Sequence, residues 1–135
     1  MSDVFARPMP KLQGLTAEFY AFTRQRELRF QRCTACGTWR HVPRLWCAAC
    51  NGEEWEWARS SGEGTVYSWS VTHKPMHPGF LDLPYATVVV ELAEGPRLLT
   101  WVRDVAPEDL RVGLPVRVDF EDASDEVTLP VFRPR

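Results

Sequence analysis

A chain of 135 residues, 44% hydrophobic and 25% charged, is sized for one packed domain, or for two small lobes of which one is held by a metal instead of a large core. No apolar stretch approaches the ~20 residues of a membrane-spanning helix, and Met1 to Pro8 lack the apolar run of a secretion leader, so a reducing cytoplasm is expected. Net charge is only -2 but unevenly spread: Arg24 to Trp46 holds six arginines against one glutamate, whereas from Cys47 onward eight basic residues meet fifteen acidic ones. A basic segment beside an acidic remainder invites a nucleic acid, a phosphorylated cofactor or an acidic protein surface, although a solvated arginine face looks the same in sequence.

Pro8, Pro10 and Gly14 give the first fourteen residues the composition of an extended arm. Thr16 is suited to cap a helix from about Ala17 to Gln25, with Glu18 in the first turn and Leu15, Phe19 and Phe22 forming an apolar stripe. Leu28 to Arg32 then alternates apolar and basic residues, as a strand does. That strand leads into Cys33-Thr-Ala-Cys36-Gly37, and after ten intervening residues from Gly37 to Trp46 comes Cys47-Ala-Ala-Cys50-Asn51-Gly52. Two Cys-x-x-Cys hooks, with no cysteine elsewhere, supply the four sulfurs of a tetrahedral all-thiolate site. Gly37 and Asn51-Gly52 let the backbone turn its amides toward those sulfurs.

The hooks lie closer together than in the usual double-hook pattern, so the pairing carries the assignment more than the separation does. Two disulfides would suit a secreted scaffold, which the N-terminus does not announce, and a thioredoxin-like motif would be a single hook before a helix. One structural zinc ion at Cys33, Cys36, Cys47 and Cys50 is therefore expected, with iron the other metal such a ligand set accepts. Four protein ligands close the shell, leaving no position for a substrate or an activated water.

Beyond the hooks, Glu53 to Trp57 alternates as a short closing strand, and Ser60-Ser-Gly-Glu-Gly64 marks a boundary. Five strand-like runs follow, Thr65–His73, Tyr85–Ala93, Arg97–Asp104, Pro115–Glu121 and Val127–Arg133, with a helical turn over Ala106 to Gly113 between the third and fourth. That order matches a small OB-type Greek-key barrel. The expected fold is mainly β with a short N-terminal helix: arm and helix over 1–27, zinc ribbon over 28–60, five-stranded OB-fold over 61–135.

Residues outside the hooks offer no Ser, His and Asp set and no spare cysteine, so an activated nucleophile is not expected. His73 and His77 are separated by Lys74-Pro75 and followed by Pro78, which favours a loop over a helix displaying both imidazoles to a metal. The loop His73 to Pro84 occupies the position where OB barrels bind ligands. Candidate ligand or partner contacts are Lys74, His77, Phe80 and Tyr85 in and beside this loop, Arg40 and Arg44 from the basic segment, and Trp101 from the third run. Lys74 and the arginines suit phosphates and Phe80 suits a ring or an apolar tail; packing of the loop against a partner protein explains the same residues.

The succession Arg32-Cys33-Thr-Ala-Cys36-Gly37, Pro43-Arg44, Cys47-Ala-Ala-Cys50, Ser61-Gly-Glu-Gly-Thr-Val-Tyr-Ser68, Pro78-Gly-Phe80, Pro84-Tyr85, Val90-Glu-Leu92, Glu94-Gly95 and Leu129-Pro-Val-Phe132 resembles domain of unknown function 35 over nearly the whole chain from Phe19 on. The resemblance implies a rubredoxin-like zinc ribbon joined to an OB-fold, in an acyl-CoA-associated accessory subunit without chemistry of its own. It implies partners among thiolases, acyltransferases and sterol-carrier-type aldolases of lipid or steroid side-chain degradation. Some members are fused to MaoC-like hydratases, for which this chain is too short, so the expectation is a free-standing form in a hetero-oligomer. The chain departs from the family at Arg26-Glu27, where many members place a glycine before the strand.

Two other functions compete. A single-stranded nucleic-acid module would use the basic segment with its interleaved Trp39 and Trp46, and a row of Arg97, Leu99, Trp101 and Arg103 on one strand face. Glu121-Asp-Ala-Ser-Asp-Glu126 weighs against it, placing four carboxylates where a phosphate backbone would pass. An independent thioesterase or hydratase lacks a base in a recognisable setting.

Overall fold

The computed structural model of the chain describes residues 7–135, so the first six residues of the expected arm lie outside the described residues. Helix α1 spans Gly14–Arg24, starting earlier than the sequence suggested. Gln13, not Thr16, is the N-cap, and it offers no side-chain bond. Its carbonyl accepts the Ala17 amide at 3.3 Å, so backbone alone closes the first turn. Phe19 and Thr23 are the buried residues of α1. The helix ends on Arg26, whose φ of 63° is left-handed, while the Gln25 and Glu27 amides both return to the Phe22 carbonyl. The glycine that the resemblance implies before the strand would adopt this left-handed conformation without strain. Arg26 is held there by a two-point bond to Asp122, at 3.0 and 3.1 Å.

The ribbon is a three-stranded antiparallel sheet in which β1 (Arg29–Cys33) is flanked by β2 (Trp39–Arg40) and β3 (Trp55–Arg59). Pairing runs from Arg29 opposite Arg59 to Cys33 opposite Trp55, which sets β3 two residues later than the alternation alone indicated. The apolar face of β1 buries Phe30 as expected, but Gln31 on the opposite face is buried too.

The barrel comprises β4 (Glu63–Thr72), β5 (Tyr85–Leu92), β6 (Arg97–Thr100), β7 (Pro115–Asp122) and β8 (Thr128–Pro134), in the order β6-β5-β4-β7-β8. The long β4 serves both halves, pairing with β5 along its length and with β7 through Glu63, Gly64 and Thr65, and its register shifts between Val66 and Ser68. Gly64 sits so close to β5 that a Cβ would lie 2.5 Å from the Glu91 carbonyl oxygen, so no other residue fits there without displacing backbone. A 3-10 turn over Pro107–Asp109 stands where the helical turn was expected.

The third run is shorter than the sequence suggested. β6 stops at Thr100, and Val102 instead forms a single parallel bridge with Phe132 of β8, which is how the sheet curls into a barrel. The row Arg97, Leu99, Trp101 and Arg103 is therefore split between the strand and the segment after it. The core is continuous from Phe19, Leu28 and Phe30 to Val66, Val88, Val90, Val116 and Phe132. Among the described residues, no helix is long and apolar enough to cross a membrane.

Candidate metal centre and binding surface

The two hooks fold as copies of one another. In the first, the Cys33 amide donates to the Thr38 carbonyl at 2.9 Å and the Gly37 amide to the Cys33 carbonyl at 2.8 Å; in the second, Cys47 to Gly52 and Asn51 to Cys47 repeat both bonds at the same lengths. Gly37 (φ 79°) and Asn51 (φ 62°) make the left-handed step after each hook. β1 and β2 carry the first hook, and the second lies in the connection from β2 to β3.

The four sulfurs converge, all lying within 4.8 Å of one another. Cys33 and Cys50 are 3.6 Å apart, as are Cys36 and Cys47, which excludes disulfides, whose sulfurs lie about 2 Å apart. A tetrahedral ion with bonds near 2.3 Å places its sulfurs roughly 3.8 Å apart, so the cluster fits such an ion. The Thr38 hydroxyl and amide lower the Cys36 thiol to about 6. At Cys50 the Gly52 amide pulls downward, but the neighbouring sulfurs and burial prevail and push the thiol up to about 12. Four sulfurs this close repel one another as thiolates unless a cation sits among them.

Arg40 and Arg44 differ sharply. Arg40 is buried, donating through Nε to Gln31 Oε1 at 3.0 Å and through Nη2 to the Arg44 carbonyl at 2.9 Å, while the Arg44 amide donates to the same Gln31 oxygen at 2.7 Å. Arg40 thus shapes the segment between the hooks. Arg40 Nη1 and Gln31 Nε2 are buried without a partner among the described residues. The Arg44 side chain is exposed, beside the exposed Leu45 and Trp46.

The loop between β4 and β5 gathers four of the remaining candidates. His77, Phe80, Tyr85 and Trp101 form a chain of rings, with Phe80 5.6 Å from His77, 6.3 Å from Tyr85 and 6.2 Å from Trp101. Two arginines complete this cluster: Arg103, read from the sequence as part of the strand-face row, and Arg7, which the sequence did not single out. Arg7 lies over Phe80 and Trp101 and donates to the Gly79 carbonyl at 2.6 Å, and Arg103 lies 4.6 Å from Trp101 while binding Glu121 at two points. Arg7 was hidden because only the fold brings the arm to this loop. Lys74 is exposed and stands outside the ring chain.

A second surface, unforeseen from the sequence, lies where helix, ribbon and barrel meet. A cleft of about 590 Å³ is lined by Phe19 and Tyr20 of α1, His41 to Pro43, Arg97 to Trp101, and Leu129 to Val131. His41 stands between Phe19 and Phe30 at 5.2 and 5.3 Å; burial, then the charge of Arg44, lowers its pKa to about 4, so it is neutral at physiological pH. Burial likewise raises the Tyr20 phenol.

Against known proteins, residues 22–56 match the family described as the ChsH2 rubredoxin-like zinc ribbon domain, and residues 57–121 match the ChsH2 C-terminal OB-fold domain. A probable enoyl-CoA hydratase alpha subunit of Thermomonospora curvata is 43% identical over 95% of this chain, and the 3-oxo-4,17-pregnadiene-20-carboxyl-CoA hydratase alpha subunit of Mycobacterium tuberculosis is 38% identical over 91%. The chain spans only 40% and 39% of the length of these two relatives. A DUF35 domain-containing scaffold protein of Methanocaldococcus jannaschii is 36% identical over 71% of this chain and 72% of its own. Among solved structures, a chain of the Ltp2-ChsH2(DUF35) aldolase superposes with a TM-score of 0.83 at 42% identity, covering 95% of this chain and 98% of that one.

Proposed function

This chain belongs to the DUF35 family, and from that premise we propose that it is a non-catalytic accessory subunit that docks on a thiolase-like enzyme and completes or stabilises it. The observation that carries the reading is the match, over nearly the full length of both chains, to the DUF35 subunit of an aldolase complex. The partner is an aldolase or thiolase, and the names of the two hydratase relatives support a setting in lipid or steroid side-chain degradation, in the cytoplasm, with a MaoC-like hydratase as a further neighbour. Bond making and breaking belong to the partner.

In this reading Cys33, Cys36, Cys47 and Cys50 hold one zinc ion, and the metal supplies rigidity and no reactive coordination site. Ribbon and barrel divide near Ser60, whose amide closes the ribbon on the Leu28 carbonyl at 2.8 Å. Acyl-CoA is shared with the partner: the ring chain His77, Phe80, Tyr85 and Trp101 offers stacking surfaces, and Lys74 and Arg44 offer exposed cations. Arg40 contributes by holding Arg44 in place. The test is to produce an Ltp2-type aldolase with and without this chain. Co-purification and a large gain in soluble, active aldolase are expected; a partner that is fully active alone and does not co-purify overturns the reading.

A further inference from the structure

The barrel does not close along its whole seam. At the single parallel bridge, the Phe132 amide donates to the Trp101 carbonyl at 2.9 Å and the Arg103 amide to the Phe132 carbonyl at 2.7 Å. One step back along that ladder, the Leu99 carbonyl would take its bond from residue 130, a proline with no N–H to give. The Thr100 hydroxyl occupies the Pro130 carbonyl instead, at 2.8 Å. The backbone ladder is not continued past this point, and the 590 Å³ cleft is lined by Arg97 to Trp101 from one segment and Leu129 to Val131 from the other, under Phe19, Tyr20 and His41 to Pro43.

The pairing of β6 with β5 fixes which backbone groups face the gap. Because the Leu92 amide bonds the Pro96 carbonyl, Val90–Leu98 and Val88–Thr100 are the hydrogen-bonded pairs, and Glu91–Arg97 and Val89–Leu99 are not. The N–H and C=O groups of Arg97 and Leu99 therefore point away from β5, and among the described residues no hydrogen bond reaches them. The facing edge of β8 is occupied differently: Pro130 has no amide to offer, and the Thr128 carbonyl takes the Thr23 hydroxyl at 2.7 Å. Beside the open edge, Leu99 is 67% exposed and Val42 is 61% exposed.

Resting on the docking role above, we propose that this gap receives an extended segment of the thiolase-like partner as an added strand on β6. Its backbone pairs with Arg97 and Leu99, and its inward apolar side chain fills the cleft against Phe19, Tyr20 and Val131. The alternation of free amides and carbonyls selects a peptide as the occupant, because an apolar small molecule would fill the volume and leave those groups unbonded. The apolar lining selects the side chain.

The test measures binding of this chain to the Ltp2 subunit of the aldolase complex, used as the probe. Leu99→Pro removes the outward N–H without touching a bond to β5, and is expected to weaken binding at least ten-fold at unchanged zinc content. Leu99→Asp puts a carboxylate at the mouth of the cleft and is expected to weaken it further. In the wild type, exchange of the Leu99 amide is expected to slow more than ten-fold on complex formation, a readout that does not depend on either variant folding. Unchanged affinity in the variants, or unchanged exchange at Leu99 in a formed complex, overturns the proposal and leaves the docking role standing. Absence of any wild-type complex removes the docking role itself. A wild-type homodimer that Leu99→Pro converts to monomer identifies a second copy as the occupant and also overturns the proposal.

Discussion

The ribbon and the barrel are held together by different physics. In the barrel the interior is Val66, Val88, Val90, Leu92, Val116, Val131 and Phe132, each at most 2% exposed, and burial of these side chains is the stabilising term. The ribbon has only Leu28 and Phe30 as large buried apolar side chains, and its other buried positions include Cys33, Cys47, Gln31 and Arg40. A lobe so poor in apolar contacts depends on its four sulfurs and on a buried arginine bonded to a glutamine and a carbonyl. The same chain thus contains one part that folds by excluding water and another built around four sulfurs placed to hold an ion.

The sharpest way to break that contrast is to remove the ion. Chelation, or Cys47→Ser, is expected to abolish metal content and amide protection over the ribbon, with on the order of 10 kcal/mol of binding energy at stake, while the barrel keeps its dispersed amide resonances. A ribbon that stays ordered without metal would contradict the division. The complementary change is Phe132→Ala, at 0% exposure and next to the barrel bridge. It is expected to cost about 3–5 kcal/mol in denaturant unfolding and to leave one metal per chain in the folded fraction.

The smallest expected effect concerns the seam between the two parts. His41 titrates near 4 in the folded chain, well below its ordinary value of 6.5, because burial and then Arg44 disfavour its charged form. Its contribution is fully present above the unfolded value of about 6.5 and is lost as pH falls toward 4, amounting to about 2 kcal/mol between pH 7 and pH 5. His41→Phe, among Phe19 and Phe30, is expected to flatten that pH dependence in denaturation curves measured at the two pH values. An equal slope in both proteins would place the acid sensitivity elsewhere.

Much of this was legible in the residues. The hooks, their glycine and asparagine turns and the five strand runs are local patterns, and local patterns survive into the fold: both hooks close with the same two backbone bonds, and each run overlaps one barrel strand. What escaped depends on partners distant in sequence. Thr16 has the chemistry of a cap, but the chain entered the helix at Gly14. Gln31 and Arg40 look like exposed polar residues of a strand and a basic patch, and are buried because each supplies the other's hydrogen bond. Arg7 reaches Gly79 across 72 residues, a contact no window of sequence contains. The open seam at β6 is legible only after the register is known, since Pro130 matters through the amide it lacks opposite Leu99.

One further contact links the lobes. Glu94, in the tight connection between β5 and β6, accepts the Ser60 hydroxyl at 2.7 Å and the Ser61 amide at 2.8 Å, grasping the connecting segment with both carboxylate oxygens. A joint pinned at two points resists swivelling. In the proposed docking role, an enzyme gripping the barrel would thereby be handed the ribbon at a set angle, the molecule transmitting orientation as a bracket does.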